Sequence, residues 1–211
     1  NLNFNEYFYQ FYEGTFFPYL QQNNIKTCIH LGDLMDRRKF VSYKTAKDFR
    51  ERFILPFNTL DINLHIMIGN HDTFYKNTND VNCVEELLGQ RHKNIKIYPE
   101  AEEVEFDGTK ILFLPWINSQ NLIYSEGMIH ETTADICMGH LEIAGFQMMK
   151  GVVNEHGISK SSFRKFDTVF SGHFHHKSDD GQIFYLGAPY ELYWNDCDDR
   201  KGFHVFDTET R

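Results

Sequence analysis

Four short apolar segments of this 211-residue chain each end in a glycine that is followed by a residue able to bind a metal ion. The four turns are Gly32-Asp33, Gly69-Asn70-His71-Asp72, Gly139-His140 and Gly172-His173-Phe174-His175. A short apolar run that stops at a turn is typical of a buried strand, and open α/β sheets bind their ligands at the carboxyl ends of strands. One such turn carries little information, but the repetition predicts turns that meet at one edge of a sheet.

The side chains at these turns have the chemistry of a metal centre. Carboxylate, amide and imidazole groups together suit Mn²⁺, Fe, Zn²⁺ or Co, whereas a calcium site uses oxygen atoms alone. His173 and His175 lie two positions apart on an extended segment, so their side chains point the same way and can reach adjacent ions. Two ions about 3.5–4 Å apart can bind a phosphoryl group and activate a water molecule. The pattern therefore favours metal-dependent chemistry on a phosphoester.

The composition is that of a globular protein. Apolar residues make up 41% of the chain and charged residues 24%, and the length suits one domain with a substantial core. No apolar run approaches the roughly 20 residues of a membrane span, and the first residues lack the layout of a signal peptide. The cysteines are dispersed, and Cys28 and Cys137 lie within apolar runs. Their positions favour reduced thiols and a cytoplasmic protein.

Charge is distributed unevenly along the chain. The net charge of −9 argues against indiscriminate binding of nucleic acid. Basic residues nevertheless cluster in the sixteen positions from 37 to 52, after the first glycine turn: Arg37, Arg38, Lys39, Lys44, Lys47, Arg50 and Arg52. They form either the solvated face of a helix or a patch that contacts the phosphates of a substrate.

The hydrophobic pattern predicts helices between strands in the first half and short strands with turns in the second. Helices are expected over about 4–24, 43–59 and 81–88, and within 120–133. The first has an aromatic face. The second has Ser42 as its N-cap, and Pro56 closes or kinks it. Strands are expected at about 25–29, 64–68, 95–98, 104–106, 111–114, 136–138, 169–171, 183–186 and 202–206. Asp107-Gly108 is a hairpin signal. This order predicts an α/β sandwich with mixed sheets.

The four turns, in this order, resemble the signature of the calcineurin-like metallophosphoesterase superfamily. Longer segments are similar to the SbcD-type nuclease subunits of recombination and repair complexes and to their T-even phage form: 32–39, 139–146, 171–175, 185–189 and 201–208. The resemblance covers about residue 25 to the end. It implies a metallophosphoesterase-type four-layer α/β sandwich and metal-dependent hydrolysis of DNA. It also implies an SMC-like ATPase partner, a homodimer, no membrane, and a location in the cytoplasm, which is the host's if a phage encodes the chain.

The resemblance also implies two divalent metal ions, expected to be Mn²⁺, with Fe, Zn²⁺ or Mg²⁺ as alternatives. Asp33 would bridge the two ions. Asn70, His140 and His173 would complete one site, and His175 would serve the other.

Catalytic roles follow from the same resemblance. His71 would be the catalytic histidine that faces the scissile phosphate, held by Asp72, and Asp36 and Arg37 would shape the loop rather than bind metal. The clustering of basic residues, independently of the resemblance, makes Arg37, Arg38 and Lys39 candidates for contacts with the substrate.

One departure from the family concerns its first metal-binding motif. The family opens with a strand that ends in Asp-x-His, whereas this chain has no aspartate before Asp33 and no Asp-x-His motif. We therefore expect the domain over 1–211 to lack the family's first strand, and also its C-terminal partner-binding region. The second metal site would then retain only Asp33 and His175.

Two other functions remain open. The chain is either a different phosphoesterase, acting on a small or protein phosphoester, or a non-catalytic scaffold with the same fold. The absent Asp-x-His motivates the scaffold, while the intact His71, His173 and His175 argue against it. Trp116 and Trp194 are interpreted as packing residues and His176 as an exposed neighbour of the site. The remaining histidines are interpreted as structural or surface residues: His30, His65, His92, His130, His156 and His204.

Overall fold

The computed structural model describes residues 2–89 and 92–210. Its strands are β1 Thr27–His30, β2 Asn63–Met67, β3 Ile95–Tyr98, β4 Glu102–Phe106, β5 Thr109–Leu114, β6 Ile136–Gly139, β7 Gln147–Met149, β8 Val152–Val153, β9 Thr168–Ser171, β10 Ser178–Asp179 and β11 Ile183–Tyr185. Its α-helices are α1 Leu2–Phe11, α2 Phe17–Gln22, α3 Tyr43–Asp48, α4 Leu55–Thr59, α5 Cys83–Leu88 and α6 Leu122–Glu131. Short 3₁₀ helices span Lys160–Phe163 and Trp194–Asp196.

Two sheets face each other in the centre of the fold. The small sheet is parallel in the order β1-β2-β3, and the large sheet has the order β10-β11-β9-β6-β5-β4. In the large sheet β5, β6, β9 and β11 run parallel, and β4 and β10 are antiparallel edge strands. The hairpin between β4 and β5 forms at Asp107-Gly108 as predicted. The predicted mixed sheet system is confirmed.

Alternate residues of each strand enter different cores, which produces four layers. Leu64 and Ile66 of the small sheet pack under the N-terminal helices, while Met67 packs on the large sheet. In the large sheet, Phe113 faces the small sheet and Leu112 faces α6. Successive side chains of a strand point to opposite faces of its sheet, so a strand that is buried on both faces contributes to two cores. The order of layers is therefore helices, small sheet, large sheet and α6 with its loops, which confirms the four-layer sandwich.

Each of the two long N-terminal helices contains a π-helical segment that ends two positions before a proline. Tyr12–Phe16 joins α1 to α2, and Phe49–Ile54 joins α3 to α4. The N–H of Phe17 donates to the carbonyl of Tyr12, five residues back, just before Pro18. A proline ring crowds the preceding helical turn, and the wider π turn leaves space for it. The helices continue past both prolines, so Pro56 does not close the second helix.

The predicted strand at 202–206 is wrong. This described segment forms no strand and instead crosses between two cores. The ring of Phe203 lies 5.1 Å from that of Phe16 under the helices, and Phe206 lies 5.1 Å from Phe170 between the sheets. The segment therefore contributes one aromatic ring to each of two cores without pairing with a strand of either sheet. Within the described residues, no helix combines the length and the apolar character needed to cross a bilayer.

Candidate metal centre and active site

The four glycine turns meet at the carboxyl ends of β1, β2, β6 and β9. The side-chain oxygen of Asn70 lies 2.9 Å from Nε2 of His140 and 3.1 Å from Nδ1 of His173. Oδ2 of Asp33 lies 3.3 Å from the same Nε2 of His140. The candidate ligand atoms of Asp33, His140 and His173 all lie within 4.8 Å of one another. The sheet registers thus bring together residues that are far apart in sequence.

Glycine is required where these turns approach each other. A Cβ added to Gly32 would lie 2.5 Å from Nδ1 of His140, and one added to Gly69 would collide with the backbone and carboxylate of Asp33. Asp33 and His173 themselves adopt left-handed backbone conformations, with φ values of 56° and 75°. Non-glycine residues rarely adopt this region, and such strain is common at functional sites. The close packing of these turns therefore fixes the positions of the side chains that they carry.

Hydrogen bonds orient the imidazole of His140. Its Nδ1 lies 2.7 Å from the carbonyl oxygen of Leu31, so Nδ1–H donates and Nε2 is left as a ligand atom. Burial alone would raise the pKa of Asp33, but His140 and the backbone N–H of His71 hold that pKa below its usual value. Burial, and then the neighbouring His140, lower the pKa of His173 to about 3. Near neutral pH the cluster thus offers a carboxylate and a neutral imidazole at His173.

The donor set fits a divalent transition metal. Asp33 offers a carboxylate, His140 and His173 offer imidazole nitrogens, and Asn70 offers an amide oxygen. This mixture of oxygen and nitrogen donors suits Mn²⁺, Fe or Zn²⁺ better than calcium. The predicted grouping of these four residues agrees with their positions in the structure, although their metal-binding role stays a prediction.

His71 lies beside this cluster, but Asp72 does not hold it. The backbone N–H of His71 donates to Asp33 at 2.7 Å, and its Nδ1 lies 2.7 Å from the carbonyl oxygen of Asp36. Asp72 is fully buried and accepts backbone N–H groups from Gly69 at 2.9 Å and Met35 at 3.0 Å. The expectation that Asp72 holds His71 is therefore corrected. Asp72 ties two turns together, and the Asp36 carbonyl holds the imidazole.

Burial and the nearby Asp33 raise the pKa of Asp72 to about 6. Its two backbone N–H partners oppose this rise. The carboxylate of Asp72 accepts hydrogen bonds from two backbone N–H groups and from Sγ of Cys83 at 3.8 Å, and none of these donors is a candidate ligand atom. Asp72 therefore fixes the loop geometry and acts on the site through the positions of its neighbours.

His175 lies outside the compact cluster and faces the C-terminal loop. Its ring is stacked on Tyr193, with 5.7 Å between ring centroids. Its carbonyl oxygen accepts a hydrogen bond of 2.7 Å from Nζ of Lys201, which also pairs with Asp196 at 3.3 Å and Asp199 at 3.1 Å. The Lys201 side chain is only 8% exposed. The sequence did not indicate this lysine, because it contacts a backbone carbonyl 26 positions away.

The structure also tests the interpretations of Trp116, Trp194 and His176. Trp194 is 94% exposed, so its interpretation as a packing residue is wrong. His176 is half-buried and pairs with Asp199 at 3.0 Å, so it is not an exposed neighbour. Trp116 does pack, with its ring 5.2 Å from that of His173 and 6.1 Å from that of His140.

The basic run divides into two parts. Arg52 pairs with Glu6 at 2.7 Å and with Glu13 at 2.6 Å, and Lys47 pairs with Glu51 at 3.1 Å. The remaining helical members are also paired with acidic residues: Lys44 with Asp48, and Arg50 with Glu51. The helical part is therefore a solvated face whose charge is largely compensated within the chain.

The other part of the run follows the first glycine turn. Arg37 is 78% exposed and forms only a long ion pair of 3.9 Å with the equally exposed Asp36, and a buried Nη1 of Arg38 has no hydrogen-bond partner among the described residues. Nζ of Lys39 lies 5.0 Å from the centroid of the Phe74 ring. These three residues keep cationic groups near the loop whose Asp36 carbonyl holds His71.

The fold and this constellation of turns define a class of phosphoester hydrolases. The sequence profile of the calcineurin-like phosphoesterase family matches residues 7–177, and the chain belongs to this family. Members of this family use divalent metals, in agreement with the donor set at the turns. The resemblance first found in the four turns is confirmed.

A more specific similarity is to a phage protein. Exonuclease subunit 1 of Enterobacteria phage T4 is 36% identical to this chain over 192 residues. The aligned region covers 91% of this chain and 56% of the phage protein. The chain thus spans little more than half the length of this relative.

Proposed function

We propose that this protein is a metal-dependent DNA nuclease, the nuclease subunit of a recombination or repair complex. The observation that carries the proposal is the meeting of Asp33, Asn70, His140 and His173 beside His71. A chain of this family with 36% identity to a phage exonuclease subunit is most simply a hydrolase of DNA phosphodiesters.

The metal-binding residues are proposed as two overlapping groups. Asp33, Asn70, His140 and His173 would hold one ion, and Asp33 and His175 would contribute to a second. Bound divalent ions, Mn²⁺ in this proposal, would supply Lewis acidity at the phosphoryl group.

The chain's own residues then position and protonate the substrate. Because the Asp36 carbonyl holds Nδ1–H of His71, Nε2 is the ring atom available to a phosphate or leaving oxygen. An imidazole that donates a proton or a hydrogen bond there contributes on the order of 10²–10⁴-fold. Arg37, Arg38 and Lys39 attract neighbouring phosphates and set the register of the strand.

Two protein partners complete the proposal. An SMC-like ATPase follows from the SbcD-type resemblance and from the word subunit in the name of the phage relative. A second copy of this chain is supported by exposed aromatic groups after the first glycine turn. Phe40 is 78% exposed and lines a groove together with the exposed Phe74, and Tyr43, three positions further along the chain, is 97% exposed. Large apolar side chains exposed together are typical of an interface.

The test compares two substrates for the protein expressed from its complete coding sequence. With Mn²⁺, it should cleave single-stranded and end-labelled duplex DNA, and chelation should abolish cleavage. Hydrolysis of bis(4-nitrophenyl) phosphate without cleavage of DNA would identify a phosphoesterase for small esters. Bound metal with neither activity would identify a scaffold.

A further inference from the structure

A groove of about 290 Å³ lies directly beside the candidate metal centre. The imidazole of His140 belongs to both, because it lines the groove and also lies among the ligand atoms at the turns. Trp116, Leu122 and Ile158 form apolar walls of the groove, and the Trp116 ring also contacts the ring of His173. A molecule in the groove would therefore lie next to a phosphate at the metal centre.

We propose that this groove is a subsite for one unpaired nucleobase, next to the phosphate that is cleaved; this rests on the nuclease function proposed above. The lining residues decide which part of a nucleotide it accepts. Of the described residues that line it, none is a lysine or an arginine, and Glu142 lies in its wall. An apolar groove with an acidic side chain repels a phosphate but accepts a neutral, flat base. The indole of Trp116 provides a surface on which any base can stack.

The size of the groove agrees with a single base. Its volume lies near the lower end for ligand pockets, which is about 300 Å³. One base and part of its sugar fit such a space better than a stacked base pair. Since His140 is shared, the base belongs to the nucleotide that carries the scissile phosphate or to its direct neighbour.

The aromatic wall of the groove is preorganised by amide side chains. The carbonyl oxygen of Trp116 accepts hydrogen bonds from Nδ2 of Asn79 at 2.9 Å and of Asn121 at 3.1 Å. Asn118 in turn donates to Oδ1 of Asn79 at 3.0 Å. A wall that is already fixed loses little conformational freedom when a base binds. The groove is thus available without rearrangement of the loop.

Binding in this groove requires a base that has left the stack. Moving a paired base out of the duplex costs free energy for unpairing and unstacking, and an unpaired base avoids this cost. The groove therefore favours single strands and frayed ends. The subsite therefore links the local geometry beside His140 to the choice of DNA structure.

The experiment combines an abasic scan with a variant that fills the groove. Single-stranded oligonucleotides carry one tetrahydrofuran abasic residue at successive positions around the cut, and kcat/KM is measured with Mn²⁺. Leu122→Trp places an indole in the groove from its exposed side, and Ile123→Trp is the matched control. Leu122 is 40% exposed and lines the groove, whereas the adjacent Ile123 is 85% exposed and does not.

An abasic residue at one position beside the cut should lower kcat/KM of the wild type by on the order of 10- to 100-fold. Leu122→Trp should show a similar loss on the intact oligonucleotide and little additional loss on the abasic one. Ile123→Trp should behave as the wild type. A wild type that cleaves DNA but is insensitive to abasic residues overturns the subsite alone. A wild type that binds Mn²⁺ but cleaves no DNA overturns the nuclease function and the subsite together.

Discussion

The two sides of the candidate metal centre are held in different ways. Asp33, Asn70, His140 and His173 each lie within three positions of the end of a strand, and tight glycine turns bring their backbones close together. His175 instead depends on the C-terminal loop, through its stacking on Tyr193 and the hydrogen bond from Lys201. The former group is positioned by the sheets themselves. His175 is positioned by the C-terminal loop, which lies outside both sheets.

The two sides of the centre are also expected to differ in the free energy needed to displace a ligand. Displacing a strand-end ligand requires disruption of sheet registers and of cores that are almost fully buried. The loop around His175 relies on one buried lysine between two aspartates, at 3.3 Å and 3.1 Å. Removing one partner of such a buried group leaves uncompensated charge. We therefore expect the strand-end cluster to bind metal more firmly than the His175 side.

The largest effect is expected at Asp33. Asp33→Asn removes the carboxylate but keeps the side-chain shape and a residue type that tolerates the left-handed backbone. Loss of an ion that stabilises charge by several kcal/mol corresponds to on the order of 10³-fold in rate. Metal content by mass spectrometry and kcat on DNA should both fall. Asp107→Asn, at the exposed hairpin turn, is the matched control, and wild-type metal content in Asp33→Asn would rule out the ligand role.

The next effect separates catalysis from metal binding. His71→Ala should lower kcat by on the order of 10²–10⁴-fold while metal content stays at the wild-type value. The reason is that the ring of His71 is held by the Asp36 carbonyl and lies outside the compact ligand cluster. His156→Ala, at an exposed position, is the control. An equal loss of bound metal in His71→Ala would make His71 a ligand.

A smaller effect is expected on the loop side. Lys201→Met removes the donor to the His175 carbonyl, and a change of this kind lowers metal affinity by about 10- to 100-fold. Raised Mn²⁺ should recover the activity of Lys201→Met, and Lys201→Arg should recover part of it at low Mn²⁺. Lys177→Met, an exposed lysine, serves as control. If excess Mn²⁺ does not restore the activity of Lys201→Met, in a protein that still unfolds cooperatively, then Lys201 does not act through metal binding at His175.

The smallest effect concerns the basic residues near His71. Reversing the charge of Arg37, Arg38 and Lys39 should weaken DNA binding and reduce the salt slope by up to about 3. The same reversal at Lys44 and Lys47 should change the slope less, because Asp48 and Glu51 already compensate these lysines. Equal slopes for both variants would show that the residues after the first turn are only solvated.

Local signals account for what the sequence predicted correctly. Ser42 caps the second helix by accepting the N–H of Thr45 at 3.0 Å, and Asp107-Gly108 forms its hairpin. The strand-end turns were also recognisable, because each carries its own glycine and ligand. Each of these features depends on residues close together in the chain.

Long-range contacts account for what the sequence did not predict. Asp72 binds backbone N–H groups, including that of Met35, which is 37 positions away. Lys201 binds a carbonyl, and Phe203 and Phe206 enter two different cores. A contact to a backbone atom leaves no pattern in side-chain types. These features therefore needed the folded arrangement.

Anomalous scattering at the manganese absorption edge distinguishes the two sides of the centre most directly. Crystals of the 211-residue chain with Mn²⁺ should show one strong peak bounded by Asp33, Asn70, His140 and His173, and a weaker peak or none beside His175. No peak at the strand-end cluster would contradict its role as the firm metal site. Two equally occupied peaks within about 4 Å would contradict the difference between its two sides.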